Sequence, residues 1–136
     1  MTAETAAQPR ILVVDDAPQN LRLLSGLLRG SYRVSVAVGG REALDLAAAR
    51  PPDLILLDIS MPGIDGFEVC RRLKAAPATR DIPVIFVTGM MEEEGRSRGL
   101  EAGGSDFIVK PIDPEALQAK IKACLGNREA GRGKAE

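Results

Sequence analysis

The sequence predicts an α/β fold: a doubly wound, five-stranded parallel sheet with helices on both faces. Three observations predict it. Continuous apolar runs at Ile11–Val14, Leu54–Leu57 and Val84–Val87 suit strands buried on both faces. Stretches with helical spacing fill every gap between runs, giving strict alternation of strand and helix. Each of the three apolar runs is followed at once by a polar residue.

The elements follow in order. The first strand is Ile11-Leu12-Val13-Val14. Leu21, Leu24 and Leu28 then share one helix face, with Pro18 near the start, where a missing N–H costs nothing. Arg33 to Val38 alternates in polarity and suits a strand with one exposed face. A helix from about Gly40 to Arg50 carries Ala43, Leu44 and Ala47 and stops at Pro51-Pro52. After the second apolar run, Asp65 and Glu68 have the spacing of a capping box, and Phe67, Cys70 and Leu73 form the stripe of a third helix. A fourth helix, from about Glu92 to Ala102, contains Gly95 and Gly99, each of which weakens an exposed helix by about 1 kcal/mol. Its Glu92-Glu93-Glu94 complements the helix dipole. Phe107-Ile108-Val109 is a short fifth strand. Asp113 and Pro114 open the fifth helix, whose stripe is Leu117, Ile121 and Cys124.

With the three fully apolar strands inside and the other two at the edges, the strand order is 2-1-3-4-5, the flavodoxin-like (βα)5 arrangement. Residues 10–125 make one domain. Residues 1–9 are expected to be disordered, and residues 126–136 to form a flexible tail or linker.

Composition narrows the function classes. The 136 residues have a formal net charge of -1, with no clustered basic patch of the kind that binds nucleic acid. No apolar run is long enough to span a bilayer, and the first residues do not read as a signal peptide, so the cytoplasm is the default location. Two cysteines and no histidine exclude a Cys/His zinc site; Cys70 and Cys124 read as buried thiols.

In a parallel sheet the carboxyl ends of the strands share one rim, and ligands bind where the strand order reverses. That rim would collect Asp15, Asp16, Asp58, Thr88 and Lys110. Taken singly, each has a plain structural reading: an Asp pair caps a helix, Asp58 precedes the Pro62-Gly63 turn, Thr88 caps, and Lys110 is a solvated charge. Taken together, three close carboxylates repel one another, and a divalent cation would relieve that. Magnesium prefers such oxygen ligands. A carboxylate can also act as a covalent phosphate acceptor, with a lysine and a hydroxyl balancing the remaining charge.

The stretches ILVVDDAPQNLRLL, PPDLILLDISMPGIDGFEVCRRLK, IPVIFVTG and GGSDFIVKPIDPEAL resemble the receiver domain of bacterial two-component response regulators. The resemblance covers about residues 10–125. It implies that Asp58 is the phosphoacceptor and that Asp15 and Asp16 are the acidic pair, with Asp16 the more direct ligand of Mg2+ (or Mn2+). It further implies a metal-ligating backbone carbonyl at Ser60, Thr88 and Lys110 beside the phosphoryl group, a Phe107 ring that moves inward with Thr88, and a cis Lys110-Pro111 bond. The phosphoryl donor would be a sensor histidine kinase or phosphotransfer protein. The readout would be a changed face of fourth helix, fifth strand and fifth helix, which also serves as a homodimer face in similar proteins. The output partner or domain stays open, with a hint toward fusion with cyclic-dinucleotide enzymes or histidine kinases. Ser60 and Met90 occupy positions that influence phosphate lifetime in similar domains, and Met90-Met91 is either a docking surface or local packing.

Departures from the family pattern fall in the switch region. Gly89 stands where Ala is common, and Gly103-Gly104 replaces Gly-Ala. These glycines, with Gly95 and Gly99, predict low local stability over residues 89–104. Other enzyme classes fit less well. A dehalogenase-like phosphatase needs a second Asp where Ser60 stands, and phosphate- or flavin-binding loops need glycines where the first loop reads Asp-Asp-Ala-Pro. A receiver that no longer takes phosphate would have lost an acidic residue or the lysine, and this chain keeps them all.

Overall fold

The computed structural model describes residues 8–89 and 93–135. Five strands alternate with five helices: β1 (Arg10–Val14), α1 (Pro18–Leu28), β2 (Arg33–Ala37), α2 (Gly40–Ala49), β3 (Leu54–Asp58), α3 (Gly66–Ala75), β4 (Val84–Thr88), α4 (Glu93–Glu101), β5 (Asp106–Val109) and α5 (Pro114–Ala135). All strand pairs are parallel, in the order β2-β1-β3-β4-β5. This is the arrangement expected from the burial pattern of the runs.

The alternation of side chains along each strand divides the core into two layers. Ile11, Val13, Leu54, Leu56, Ile85 and Val87 face α1 and α5, where they meet Leu21, Leu24, Leu28, Leu117 and Ile121. Leu12, Val14, Ile55, Leu57, Val84 and Phe86 face the other way, toward Ala43, Ala47, Phe67, Val69, Cys70 and Leu73 on α2 and α3. β3 and β4 are buried along their whole length, whereas edge strand β2 is mostly exposed.

Local chemistry follows the sequence with adjustments. The Asp65 side chain caps α3 by accepting from the Glu68 amide at 2.9 Å. The reciprocal half of the capping box is replaced: Glu68 instead accepts from Arg71 and Arg72, at 3.1 and 3.0 Å. α5 runs on to Ala135, past the boundary at 126 where a flexible tail was expected. The added stretch contains no proline, and its Arg, Glu, Ala and Lys residues favour helix enough to carry the chain past Gly126, Gly131 and Gly133. Residues 1–7, Met90, Met91, Glu92 and Glu136 lie outside the described residues.

α4 is attached unusually. Among its residues of described burial, only Gly99 is buried, and Leu100 is 60% exposed. A Cβ on Gly99 would lie 2.5 Å from Cζ of Phe107. A Cβ on Gly104 would overlap the ring of Phe86. Both glycines therefore have a packing role, and Gly104 matches the bulk that Phe86 brings to β4. The helix ends at Glu101, and two residues on Gly103 takes a φ of 99°, open to glycine at little cost; its amide donates to the Leu100 carbonyl at 3.0 Å.

Candidate functional site: an acidic crevice at the carboxyl ends of the strands

Three strand ends meet where the chain leaves the paired strands β1 and β3 toward opposite helical layers. Asp15 directly follows β1, Asp58 is the last residue of β3 and Thr88 the last of β4. Hydrophobic burial of the strands carries these polar residues inward: Asp15 is 1% exposed, Asp58 6% and Thr88 7%. Asp16, one residue further along, is exposed. Carboxylate oxygens of Asp15, Asp16 and Asp58 lie within 4.8 Å of one another.

Each group is held by neighbours. Asp15 Oδ1 accepts from the Ala17 amide at 2.9 Å, and its Oδ2 from the Asn20 side-chain amide at 3.1 Å. The Lys110 ammonium reaches the same Oδ2 at 3.5 Å. Asp58 Oδ1 accepts a long bond, 3.4 Å, from the Ser60 amide. The Lys110 amide donates to the Thr88 carbonyl at 2.8 Å, which ties the end of β5 to β4, and the Lys110-Pro111 peptide bond is cis. Gly66 brings α3 against the end of β3: a Cβ there would lie 2.5 Å from the Asp58 carbonyl oxygen.

The electrostatics identify Asp58 as the strained member. Its carboxyl is pushed up to about 6, first by burial and next by the charge of Asp15, with Asp16 adding a little. Lys110 and the Ser60 amide pull the other way without cancelling it. A donor set of three carboxylates crowded into one half-buried crevice fits a hard divalent cation such as Mg2+, which takes oxygen ligands and keeps waters on its open side.

Every rim residue expected from sequence converges here. Phe107 lies one layer below, 7% exposed, with its ring stacked on Phe86. Sequence reasoning missed Asn20 and Gly66. Asn20 sits in the first turn of α1, five residues after Asp15, a spacing with no signature of its own. Gly66 follows Asp65, and its need for close approach shows only once α3 is docked.

The family model for the response regulator receiver domain matches residues 11–122. The chain belongs to that family. It is similar to response regulator PleD of Caulobacter vibrioides, at 51% identity over 115 residues, which is 84% of this chain and 25% of PleD. It is also similar to a probable cyclic di-GMP phosphodiesterase of Vibrio cholerae, at 39% identity over 130 residues, 96% of this chain and 30% of that protein. Among solved structures, a CheY-like receiver domain protein from Methanospirillum hungatei superposes with a TM-score of 0.86 at 30% identity, covering 92% of this chain and 99% of that one. This receiver domain thus spans about a quarter of PleD's length and somewhat more of the phosphodiesterase's. Receiver domains are signalling modules of two-component systems. Among the described residues of this one, no helix is long and apolar enough to cross a membrane.

Proposed function

We propose that this receiver domain is a phosphorylation-dependent switch in which Asp58 accepts a phosphoryl group from a sensor histidine kinase or phosphotransfer protein. The observation that carries the reading is the buried Asp58 carboxylate at the end of β3, facing Asp15 and Asp16 across less than 5 Å. An Asp58 oxygen attacks phosphorus, the bond from phosphorus to the donor imidazole breaks, and an acyl phosphate results. Mg2+ would be held by Asp15, Asp16, Asp58 and the Ser60 carbonyl, and when bound would supply positive charge to offset that of the transferring group. Asp15 is oriented for this by Ala17 and Asn20. Lys110 exchanges its Asp15 contact for a phosphoryl oxygen, and the Thr88 hydroxyl donates to another. Hydrolysis of the acyl phosphate later resets the domain.

The switched surface is α4, β5 and α5, which also serves a homodimer or an output partner. The receiver unit is residues 10–125, working in the cytoplasm. Relatives that include a probable cyclic di-GMP phosphodiesterase favour an output in cyclic-dinucleotide signalling, delivered by a further domain or a partner. The test is incubation with a small acyl phosphate and Mg2+, read by intact mass. One added phosphate on the wild type, absent from Asp58→Asn and from metal-free protein, is the expected result. No addition to the wild type overturns the reading.

A further inference from the structure

The helical layer formed by α1 and α5 stops short of the β2 edge of the sheet. Val36, Val13, Leu56 and Ile85 stand in one row across β2, β1, β3 and β4, on the side that these helices cover. The last three are fully buried, but Val36 is 42% exposed. Beside it runs an open groove of about 510 Å3, lined on α1 by Leu21, Arg22, Ser25, Gly26 and Arg29. Gly26 makes the space. Nothing lies within 4 Å of where its Cβ would stand, so no packing contact calls for a glycine there. Glycine weakens a helix interior, yet no neighbour in the fold needs this room.

The rim of the groove is basic. Between Asp16 and Glu42 the chain carries Arg22, Arg29, Arg33 and Arg41 and no acidic residue. Arg22 and Arg29 stand on one stripe of α1, about 10 Å apart along its axis, at either end of the gap at Gly26. Both are exposed, and among the described residues neither pairs with a carboxylate. We infer that this groove docks an acidic, amphipathic helix of another protein. The helix lies beside α1, sets apolar side chains over Val36 and Gly26, and presents carboxylates two turns apart to the two guanidiniums. A helix fits better than an added strand because the uncovered strip lies on the face of the sheet, not in the plane of the β2 edge. Ser25 and Gly26 are small enough to let it approach to the 8–10 Å of packed helices. This flank of α1 turns toward β2, away from β3 and Asp58. The inference therefore stands apart from the phosphoacceptor reading and from the face of α4, β5 and α5.

The experiment selects phage-displayed helical peptides, randomised on one face, against the full-length protein. Enriched sequences are expected to carry two carboxylates about two turns apart with apolar residues between them. An enriched peptide, made synthetically, should shift the backbone amide resonances of α1 and β2 and leave those of α4 and β5 in place. Arg22→Gln combined with Arg29→Gln should weaken its binding about tenfold, the combined effect of two exposed charges. Gly26→Leu should abolish binding by filling the groove, with a Tm at or above that of wild type, because leucine favours helix and meets no neighbour there. The arginine variant fills no space, so it decides the matter even where leucine lowers the Tm. No enrichment, enrichment without acidic residues, or binding that survives both variants overturns the proposal. Sedimentation of the free protein covers the remaining occupant: self-association that Gly26→Leu abolishes would give the groove to a second copy of this chain and overturn its assignment to another protein.

Discussion

Lys110 meets Asp15 across the mouth of the crevice, its ammonium nitrogen 3.5 Å from Oδ2, and so neutralises the more deeply buried member of the acidic pair. Asp58, whose exposure is only slightly greater, receives a long amide bond and a more distant share of that charge. The site is thus built with its negative charge unbalanced at the residue proposed to react. The consequences can be measured.

The first concerns stability and pH. The folded-state carboxyl of Asp58 titrates near 6 rather than the ordinary 3.8, so between those values the folded state binds more protons than the unfolded chain. Stability contributed by this group therefore falls as pH rises from about 4 to about 6, and the penalty stays in full above that. A shift of this size corresponds to about 3 kcal/mol. Asp58→Asn in chelator is expected to be more stable than wild type at pH 7.5, by an amount up to that figure, and to lose the advantage near pH 4. Urea unfolding at the two pH values checks it, and a pH-independent difference would contradict it.

Mg2+ should act on the same imbalance. Binding to the folded state alone raises stability with metal concentration. We expect millimolar Mg2+ to raise the Tm at pH 7.5, to do so much less at pH 5, where Asp58 is protonated, and to have little effect on Asp16→Asn. Differential scanning fluorimetry across a Mg2+ titration gives the answer. An equal rise at both pH values would place the metal elsewhere.

Lys110→Met removes the one cation among the described residues that lowers the Asp58 carboxyl. Its titration, followed by carboxyl carbon NMR, should move further above 6. Phosphorylation by a small acyl phosphate should slow on the order of a hundredfold, the usual cost of removing one group that stabilises charge in a transition state. An unmoved titration would mean that Lys110 acts on Asp15 alone.

Gly104→Ala tests the fit between β4 and the segment before β5. The added methyl would overlap the Phe86 ring, which is fully buried and cannot swing aside. Overpacking of this kind costs about 1–3 kcal/mol. In a Phe86→Leu background the same substitution should cost markedly less. Chemical denaturation of the four proteins of this cycle measures the coupling, and strict additivity would show that the two positions do not share the space.

Much of this was legible in the chain itself. Unbroken apolar runs can satisfy their side chains only when covered on both faces, so Ile11–Val14, Leu54–Leu57 and Val84–Val87 marked the sheet interior, and the alternating Arg33–Val38 segment marked an edge. Strand order and a common rim followed, and with them the company of Asp15, Asp16, Asp58, Thr88 and Lys110. Local chemistry was less reliable where one side chain had competing partners. Glu68 pairs with Arg71 and Arg72 rather than closing the capping box. The helical continuation to Ala135 was obscured by glycines whose cost is modest beside the gain from extending an existing helix.

By itself, then, the sequence determined which residues line the crevice, because periodicity and strand ends depend only on neighbours along the chain. The tertiary structure alone decided how they divide the work. That Lys110 sits on Asp15, that Asn20 orients it, and that Gly66 brings α3 against Asp58 depend on distances between elements far apart in the chain. The same holds for Gly99 and Gly104, which read as weak points in the sequence. They became sockets for Phe107 and Phe86 only when helix and strand were packed, since space is shared between elements and no single element encodes it.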